Sequence, residues 1–238
     1  MEKNISNATS VVDEGLRSYM IKVYNFMAGG LVVTALAAWA TINTPLFNIF
    51  FTQTANGYYT MSVLGWVAFI APLVMVFAFG WVLNRGTAKQ VQALFWGYAA
   101  IMGVGLAPIL LVYTSASVTR IFMISAAMFS ALSLYGYTTK RDLTKMGSFM
   151  MMGLIGVIIA MIVNIFMKSP AMYYALSVLT VVIFTGLTAY DTQKIRAMYT
   201  HYDEGDTITK KAVAGALSLY LDFINLFLAL LRLFGDRR

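Results

Sequence analysis

Two aspartates lie within or directly beside long apolar stretches of the sequence. Asp222 falls near the middle of the apolar segment 213–234, and Asp191 directly follows the apolar segment 171–190. Two carboxylates that meet in an apolar site cannot both ionise at low cost, so such a pair is expected to share one proton and to respond to pH. When both are ionised they are hard oxygen donors of the kind that Ca²⁺ binds, although Ca²⁺ takes six to eight oxygens. The pair therefore indicates proton sensing and weak binding of a divalent cation.

Three further polar residues are candidates for the same site. On a helix, Asp222 shares one face with Ser218 and Asn225, which could line an ion path or supply further oxygens. Arg85 closes an earlier apolar segment and could pair with one carboxylate. Plainer interpretations stay open: Asp222 as a hydrogen-bonded structural residue, and Asp191 and Arg85 as anchors at a membrane surface.

The composition requires a bilayer around most of the chain. Of its 238 residues, 60% are hydrophobic and 11% are charged, whereas an average soluble domain is about half apolar and about a quarter charged. A soluble globule of this size could not bury so much apolar surface. The net charge of +7 is carried by too few residues to form a nucleic-acid-binding stripe. The absence of cysteine excludes disulfides and thiol catalysis.

Seven apolar segments are each long enough for one membrane-spanning helix, which needs about 20 residues. Their runs are unbroken and lack the alternation of a transmembrane β-barrel, so helices are expected. A re-entrant last segment is the alternative, since it would keep the terminal arginines on the cytoplasmic side. We predict an all-α membrane protein with a single domain over residues 1–238 and spans near residues 24–41, 61–83, 91–113, 121–137, 147–167, 171–190 and 213–234.

The placement of Asp222 in a membrane-spanning segment implies a free-energy cost. A charged aspartate at the centre of a membrane helix costs about 2.5 to 3.5 kcal/mol on insertion scales. Its segment is therefore expected to turn this residue toward protein or water. The distribution of the 17 lysines and arginines places the amino terminus in the cytoplasm, because most of them then lie on that side of the membrane.

Three short motifs, spread over most of the chain, carry a family resemblance. They are Gly-x-Gly-Leu-x-Pro at 103–108, Tyr-Asp-Thr-Gln at 190–193 and Leu-Tyr-Leu-Asp-Phe-Ile-Asn-Leu-Phe at 219–227. Together they resemble the Bax inhibitor-1 family of membrane proteins, in a bacterial form. The resemblance implies seven helices, the seventh central and surrounded by six, and a pH-dependent Ca²⁺ leak governed by an aspartyl pair.

The resemblance also implies roles for individual residues. By motif, the aspartyl pair corresponds to Asp191 and Asp222, with weak Ca²⁺ binding between them. The latch arginine of the family corresponds to Arg85, although the residues around Arg85 do not form a sharp motif. Calcium is then the transported ion, and no cofactor is expected. The expected location is the bacterial inner (cell) membrane.

Two other functions remain as alternatives. The resemblance implies stress-related roles and association with a membrane protease, which favours a regulator that binds membrane partners. An intramembrane aspartyl protease is less favoured, because those enzymes have Gly-x-Gly-Asp where this chain has bulky residues before Asp222. The sequence also lacks the HExxH and GxSxG motifs of zinc metalloproteases and serine hydrolases. We therefore expect no enzymatic activity and no binding of nucleic acid.

Overall fold

The structure is a computed structural model that describes the backbone of residues 2–54 and 59–238 and the side chains of residues 14–54 and 59–238. Within these residues, seven helices are long and apolar enough to cross a membrane. A helix pairs its backbone N–H and C=O groups internally, which is required where no water can reach them. The predicted all-α membrane fold with seven spans is confirmed.

The element order follows the apolar segments. The described elements are α1 (Glu2–Asn43), α2 (Phe47–Phe50), β1 (Phe51–Gln53), β2 (Tyr59–Met61), α3 (Val63–Arg85), α4 (Ala88–Val112), α5 (Ser115–Thr138), α6 (Thr144–Met167), α7 (Pro170–Met198) and α8 (Asp206–Phe234). The seven spans are α1 and α3 to α8. The connection between the first two spans contains a one-turn helix and an antiparallel hairpin in which Phe51 pairs with Met61.

Several helices extend beyond their apolar segments. Helix α7 continues past the predicted end at residue 190 to Met198, and α8 begins at Asp206 rather than near residue 213. Polar residues can continue a helix once it leaves the hydrocarbon, so the apolar length underestimates the helical length. Ser169 caps α7 by accepting a hydrogen bond from Met172 N at 3.3 Å, and Pro170 is the first helical residue. This start agrees with the favoured position of proline in the first turn.

Helix α8 differs from the other spans in its burial. In its most apolar stretch 72% of the residues are buried, against 39% or fewer in each of the other six spans. The helix is continuous over its 29 residues, which corresponds to about 43 Å. A continuous helix of this length supports a full crossing over a re-entrant segment. The position of α8 at the centre of the bundle stays a prediction.

Backbone contacts divide the chain into two compact units. The first contains the chain up to Val112, His201–Leu217 and Arg238; the second contains Tyr113–Thr200 and Ser218–Arg237. In the first unit, α4 packs against both α1 and α3.

The glycine-containing motif in α4 permits this close packing. A Cβ atom on Gly103 would collide with the carbonyl oxygen of Thr34 in α1. The absence of a side chain at Gly103 therefore lets α1 and α4 approach, as small residues do in membrane helix pairs. In the second unit, α7 packs against both α5 and α6. This three-helix arrangement holds the end of α7 that carries Asp191.

Candidate functional site

The second unit contains both candidate aspartates. Asp191 lies about two turns before the end of α7 and is partly buried. Asp222 lies near the middle of α8, and only 4% of its surface is exposed. The Asp191 carboxylate is near enough to act electrostatically on Asp222, and Lys194, one turn further along α7, acts on Asp191. Both acidic residues that the sequence singles out thus belong to the same compact unit, and their action as a pair stays a prediction.

The Asp222 carboxylate is enclosed without full pairing. Its Oδ2 atom is buried, and no donor among the described residues forms a hydrogen bond with it. A buried polar atom without a partner costs about 1 to 3 kcal/mol, and more when it is charged. Such atoms are rare in native proteins and call for a physical explanation. Either a proton on the carboxylate or a bound cation would offset this cost.

Hydroxyl groups next to Asp191 connect α7 to α5. Thr192 is buried, and its Oγ1 donates to the carbonyl oxygen of Thr188 at 2.8 Å. The same hydroxyl lies 2.9 Å from the Ser133 hydroxyl of α5, within hydrogen-bond distance. A side-chain bond of this kind links two helices in an apolar environment. The residue directly after Asp191 is therefore held in place, and Asp191 is attached to a fixed segment of α7.

Two glycines bring neighbouring helices against α7 directly before Asp191. A Cβ on Gly136 of α5 would collide with the carbonyl oxygen of Ala189, and a Cβ on Gly147 of α6 would collide with the Tyr190 ring. Because these contacts leave no space for a methyl group, α7 is fixed on two sides at this level. The contacts of these two glycines with α7 could not be predicted from the sequence. Small residues favour helix contacts, but residue type alone does not tell which helix they contact.

The two other residues of the predicted ion path also belong to the second unit. Ser218 and Asn225 are both partly buried on α8. The Asn225 Nδ2 atom donates to the carbonyl oxygen of Leu221 at 2.8 Å. Its Oδ1 atom is therefore the side-chain atom that remains to accept a hydrogen bond or to bind a cation. Their assignment to an ion path stays a prediction.

Arg85 belongs to the first unit. It is the last residue of α3 and is exposed, and its guanidinium lies 5.7 Å from the centre of the Trp81 ring on the same helix. Within the described part of the chain it forms no ion pair. This geometry agrees with an arginine at a membrane surface, which often lies beside tryptophan. The predicted latch role of Arg85 stays a prediction.

Comparison with known proteins identifies the family. A family model described as inhibitor of apoptosis-promoting Bax1 matches residues 16–238, which is nearly the whole chain. The chain belongs to the Bax inhibitor-1 family. The similarity extends to bacterial proteins of almost equal length.

Three bacterial relatives illustrate this similarity. The protein RP147 of Rickettsia prowazekii is 46% identical over 227 residues, which cover 95% of this chain and 92% of that protein. The inner membrane protein YbhL of Escherichia coli K12 is 43% identical over 227 residues, 94% of each chain. The membrane protein SpyM3_0260 of Streptococcus pyogenes is 36% identical over 226 residues, also 94% of each chain.

The oxygen donors of this Bax inhibitor-1 family protein limit how tightly it could hold a divalent cation. Among the described residues, no group of three or more histidine, cysteine, aspartate or glutamate side chains could hold a metal ion. Asp191, Asp222 and Asn225 offer two carboxylates and one amide oxygen, fewer than the six to eight oxygens that Ca²⁺ takes. These side chains alone are too few to complete the coordination of Ca²⁺, and binding of Ca²⁺ by them stays a prediction.

Proposed function

We propose that this chain is a pH-sensitive calcium leak channel of the bacterial inner membrane, gated by Asp191 and Asp222. The observation that carries the proposal is the buried Asp222 carboxylate, whose Oδ2 atom lacks a hydrogen-bond donor among the described residues. Membership of the Bax inhibitor-1 family and the similarity to the inner membrane protein YbhL support the location. The distribution of lysine and arginine supports a cytoplasmic amino terminus.

The proposed mechanism starts from a shared proton. While Asp191 and Asp222 share one proton, the pair carries a single negative charge and α7 and α8 can stay close together. Loss of that proton places two negative charges beside each other in an apolar site. The repulsion is relieved if the helices move apart or if a cation binds between them. Few oxygen ligands then allow Ca²⁺ to leave again, as conduction requires.

The mechanism needs neither a cofactor nor a catalytic step. The carboxylates exchange a proton for a cation and form no covalent bond. The sequence-based alternative, a regulator that binds a membrane protease, stays a prediction. It differs from the leak channel in one respect that can be measured, since it does not require ion flux from the isolated protein.

Reconstitution into liposomes tests the proposal. Vesicles that enclose a Ca²⁺-sensitive dye are prepared with the wild-type protein and with Asp191→Asn, Asp222→Asn and Asp236→Asn, and Ca²⁺ entry is followed over a pH series. We expect pH-dependent Ca²⁺ entry for the wild type and for Asp236→Asn. We expect a flat pH profile for the other two variants, because asparagine cannot take up or release the proton.

Two controls make the result specific. A K⁺ flux measurement on the same vesicles separates a Ca²⁺ pathway from a general leak of the bilayer. Circular dichroism of each variant in detergent checks that the helices are intact. The same pH-dependent Ca²⁺ entry in all four proteins would contradict the proposal.

A further inference from the structure

A basic cavity lies beside the end of α7, within the second unit. It has a volume of about 410 Å³, and its lining includes Lys140, Arg141 and Lys194 together with the single carboxylate of Asp142. These charged side chains give the lining an excess of positive charge. Within the described part of the chain, none of the three cations forms an ion pair. The cavity therefore offers several cationic donors that no ion pair among the described residues occupies.

The wall formed by the α5–α6 connection is held in place by one glutamine. The Gln193 Oε1 atom accepts a hydrogen bond from Leu143 N at 2.9 Å, and its Nε2 atom donates to the carbonyl oxygen of Arg141 at 2.8 Å. Leu143 itself is buried. Because both ends of the amide are bonded to this connection, the backbone that carries Lys140 and Arg141 is fixed against α7.

The opposite wall positions the third cation. The Lys194 ammonium lies 5.9 Å from the centre of the Tyr190 ring on the same helix, a distance at which the ring face attracts a cation. Tyr190 is in turn fixed by the close approach of Gly147. The Asp142 carboxylate also lines the cavity, and its Oδ1 atom accepts a hydrogen bond from Thr144 N at 2.9 Å. The three cations outnumber this single carboxylate, so the lining keeps its excess of positive charge.

The position of the cavity in the fold indicates where a ligand would come from. The connection joins two membrane spans, α5 ending at Thr138 and α6 beginning at Thr144, so it must lie at a surface of the bilayer. Phosphate groups of lipids are concentrated there, and anionic headgroups attract clustered lysine and arginine. An arginine guanidinium can bind a phosphate with two parallel hydrogen bonds, and lysine adds point charges.

We propose that this cavity binds the phosphate group of an anionic phospholipid, with Lys140, Arg141 and Lys194 as its contacts. The chemical group that the site recognises is a phosphate, and inorganic phosphate is a second possible source of it. The short connection at the bilayer surface favours the lipid as its source. Lys194 also acts on Asp191 of the proposed ion path, so the site is tested by lipid binding, which does not depend on Ca²⁺ flux.

Native mass spectrometry of the purified protein tests this site, because the bound mass identifies the ligand. The protein in detergent is offered equal amounts of phosphatidylglycerol and phosphatidylcholine, and in a separate arm inorganic phosphate alone. We expect preferential retention of phosphatidylglycerol. Each of the variants Arg141→Gln and Lys194→Gln is expected to lower that preference about fivefold, the effect of removing one cation near anionic lipid.

Lys145→Gln is the matched control. Lys145 is exposed near the start of α6, close to the cavity in sequence, but it does not belong to the lining. It should leave the lipid preference almost unchanged. Equal retention of the two lipids by the wild type without adducts of inorganic phosphate, or an equal loss in Lys145→Gln and Lys194→Gln, would overturn the site. Stable adducts of inorganic phosphate without a preference between the lipids would overturn the assignment to a lipid.

Discussion

Asp222 and Asp236 show two ways in which this chain places a carboxylate. Both belong to the second unit, Asp222 within α8 and Asp236 just beyond its end. The Asp236 side chain is 66% exposed, and its Oδ2 atom lies 2.9 Å from the Arg120 guanidinium. Its backbone N–H donates to the Ser117 hydroxyl at 2.9 Å, and its carbonyl oxygen accepts from Thr114 N at 3.0 Å. Asp222 instead is 4% exposed and keeps one buried oxygen without a donor among the described residues.

The difference separates an exposed, paired carboxylate from a buried one that keeps an oxygen without a donor among the described residues. The pairs around Asp236 connect the end of the chain to the start of α5, and water is also available to them. Asp222 is buried, and its Oδ2 atom has no donor among the described residues, so ionisation of this carboxylate would cost free energy. This contrast supports the proposal that Asp222 exchanges a proton for a cation.

The largest expected effect comes from removing the charge of Asp222. In Asp222→Asn the side chain keeps its size but cannot ionise. We expect the free energy of unfolding at alkaline pH to rise by about 3 kcal/mol or more, because the amide stays a buried polar group but no longer carries the larger cost of a buried charge. At acid pH, where the wild-type carboxyl carries its proton, the two proteins should be similarly stable. Melting temperatures in detergent at both pH values measure this, and a variant less stable than the wild type at alkaline pH would indicate a structural role.

The next largest effect is expected from Gly136→Ala, which tests whether close packing fixes the end of α7 that carries Asp191. Gly136→Ala adds a methyl group where the Ala189 carbonyl oxygen already lies. We expect a loss of about 1 to 3 kcal/mol in the free energy of unfolding, typical of an overpacked contact. Gly156→Ala in α6 is the control, because a Cβ there meets nothing within 4 Å. That variant should be neutral or slightly stabilised, since alanine favours a helix. Equal melting temperatures for the two variants would speak against the tight contact.

A smaller effect on stability is expected when the charge of Asp236 is removed. Asp236→Asn removes an ion pair whose two side chains are 55% and 66% exposed. Exposed pairs contribute about 0 to 1 kcal/mol, so the melting temperature should fall only slightly, and the difference should shrink as salt is added. A fall in melting temperature as large as that of Gly136→Ala would show that the Arg120–Asp236 ion pair stabilises the fold more than an exposed pair is expected to.

The smallest effect concerns a third carboxylate, Asp142, which is exposed in the α5–α6 connection. Hydrogen bonds from Thr144 hold the pKa of Asp142 below its ordinary value. A pKa that is lower in the folded state means that the carboxylate favours folding above its ordinary pKa. This contribution is lost as the pH falls through the lowered value. Thr144→Ala should raise the pKa of Asp142 toward the ordinary value, as measured by NMR titration of ¹³C-labelled aspartate. An unchanged pKa would exclude the Thr144 hydroxyl as a cause.

The sequence predicts the spans well because membrane helices are determined by apolar length. All seven segments contain helices, and the pair Ser169 and Pro170 begins α7, as is typical of a capping serine followed by proline. The helix ends were missed, since α7 and α8 continue through polar residues that water can solvate. The hairpin between β1 and β2 was missed as well, because short strands leave little pattern in a polar connection.

The site was only partly predictable. Asp191 and Asp222 could be found because an acidic residue is rare in an apolar segment. Ser133 and Gly147 could not, because their roles arise from contacts between helices that are distant in sequence. Gln193 belongs to a recognised motif, yet its role in fixing the α5–α6 connection depends on backbone atoms of that connection. Side-chain type therefore indicates chemistry, whereas packing partners require the structure.

Infrared difference spectroscopy on protein with ¹³C-labelled aspartate tests the central claim most directly, because a protonated carboxyl has its own C=O band. We predict a band that disappears when Ca²⁺ is added or the pH is raised. The band should be absent from Asp222→Asn and unchanged in Asp236→Asn. A band that persists in Asp222→Asn, or that does not respond to Ca²⁺ and pH, would contradict the account.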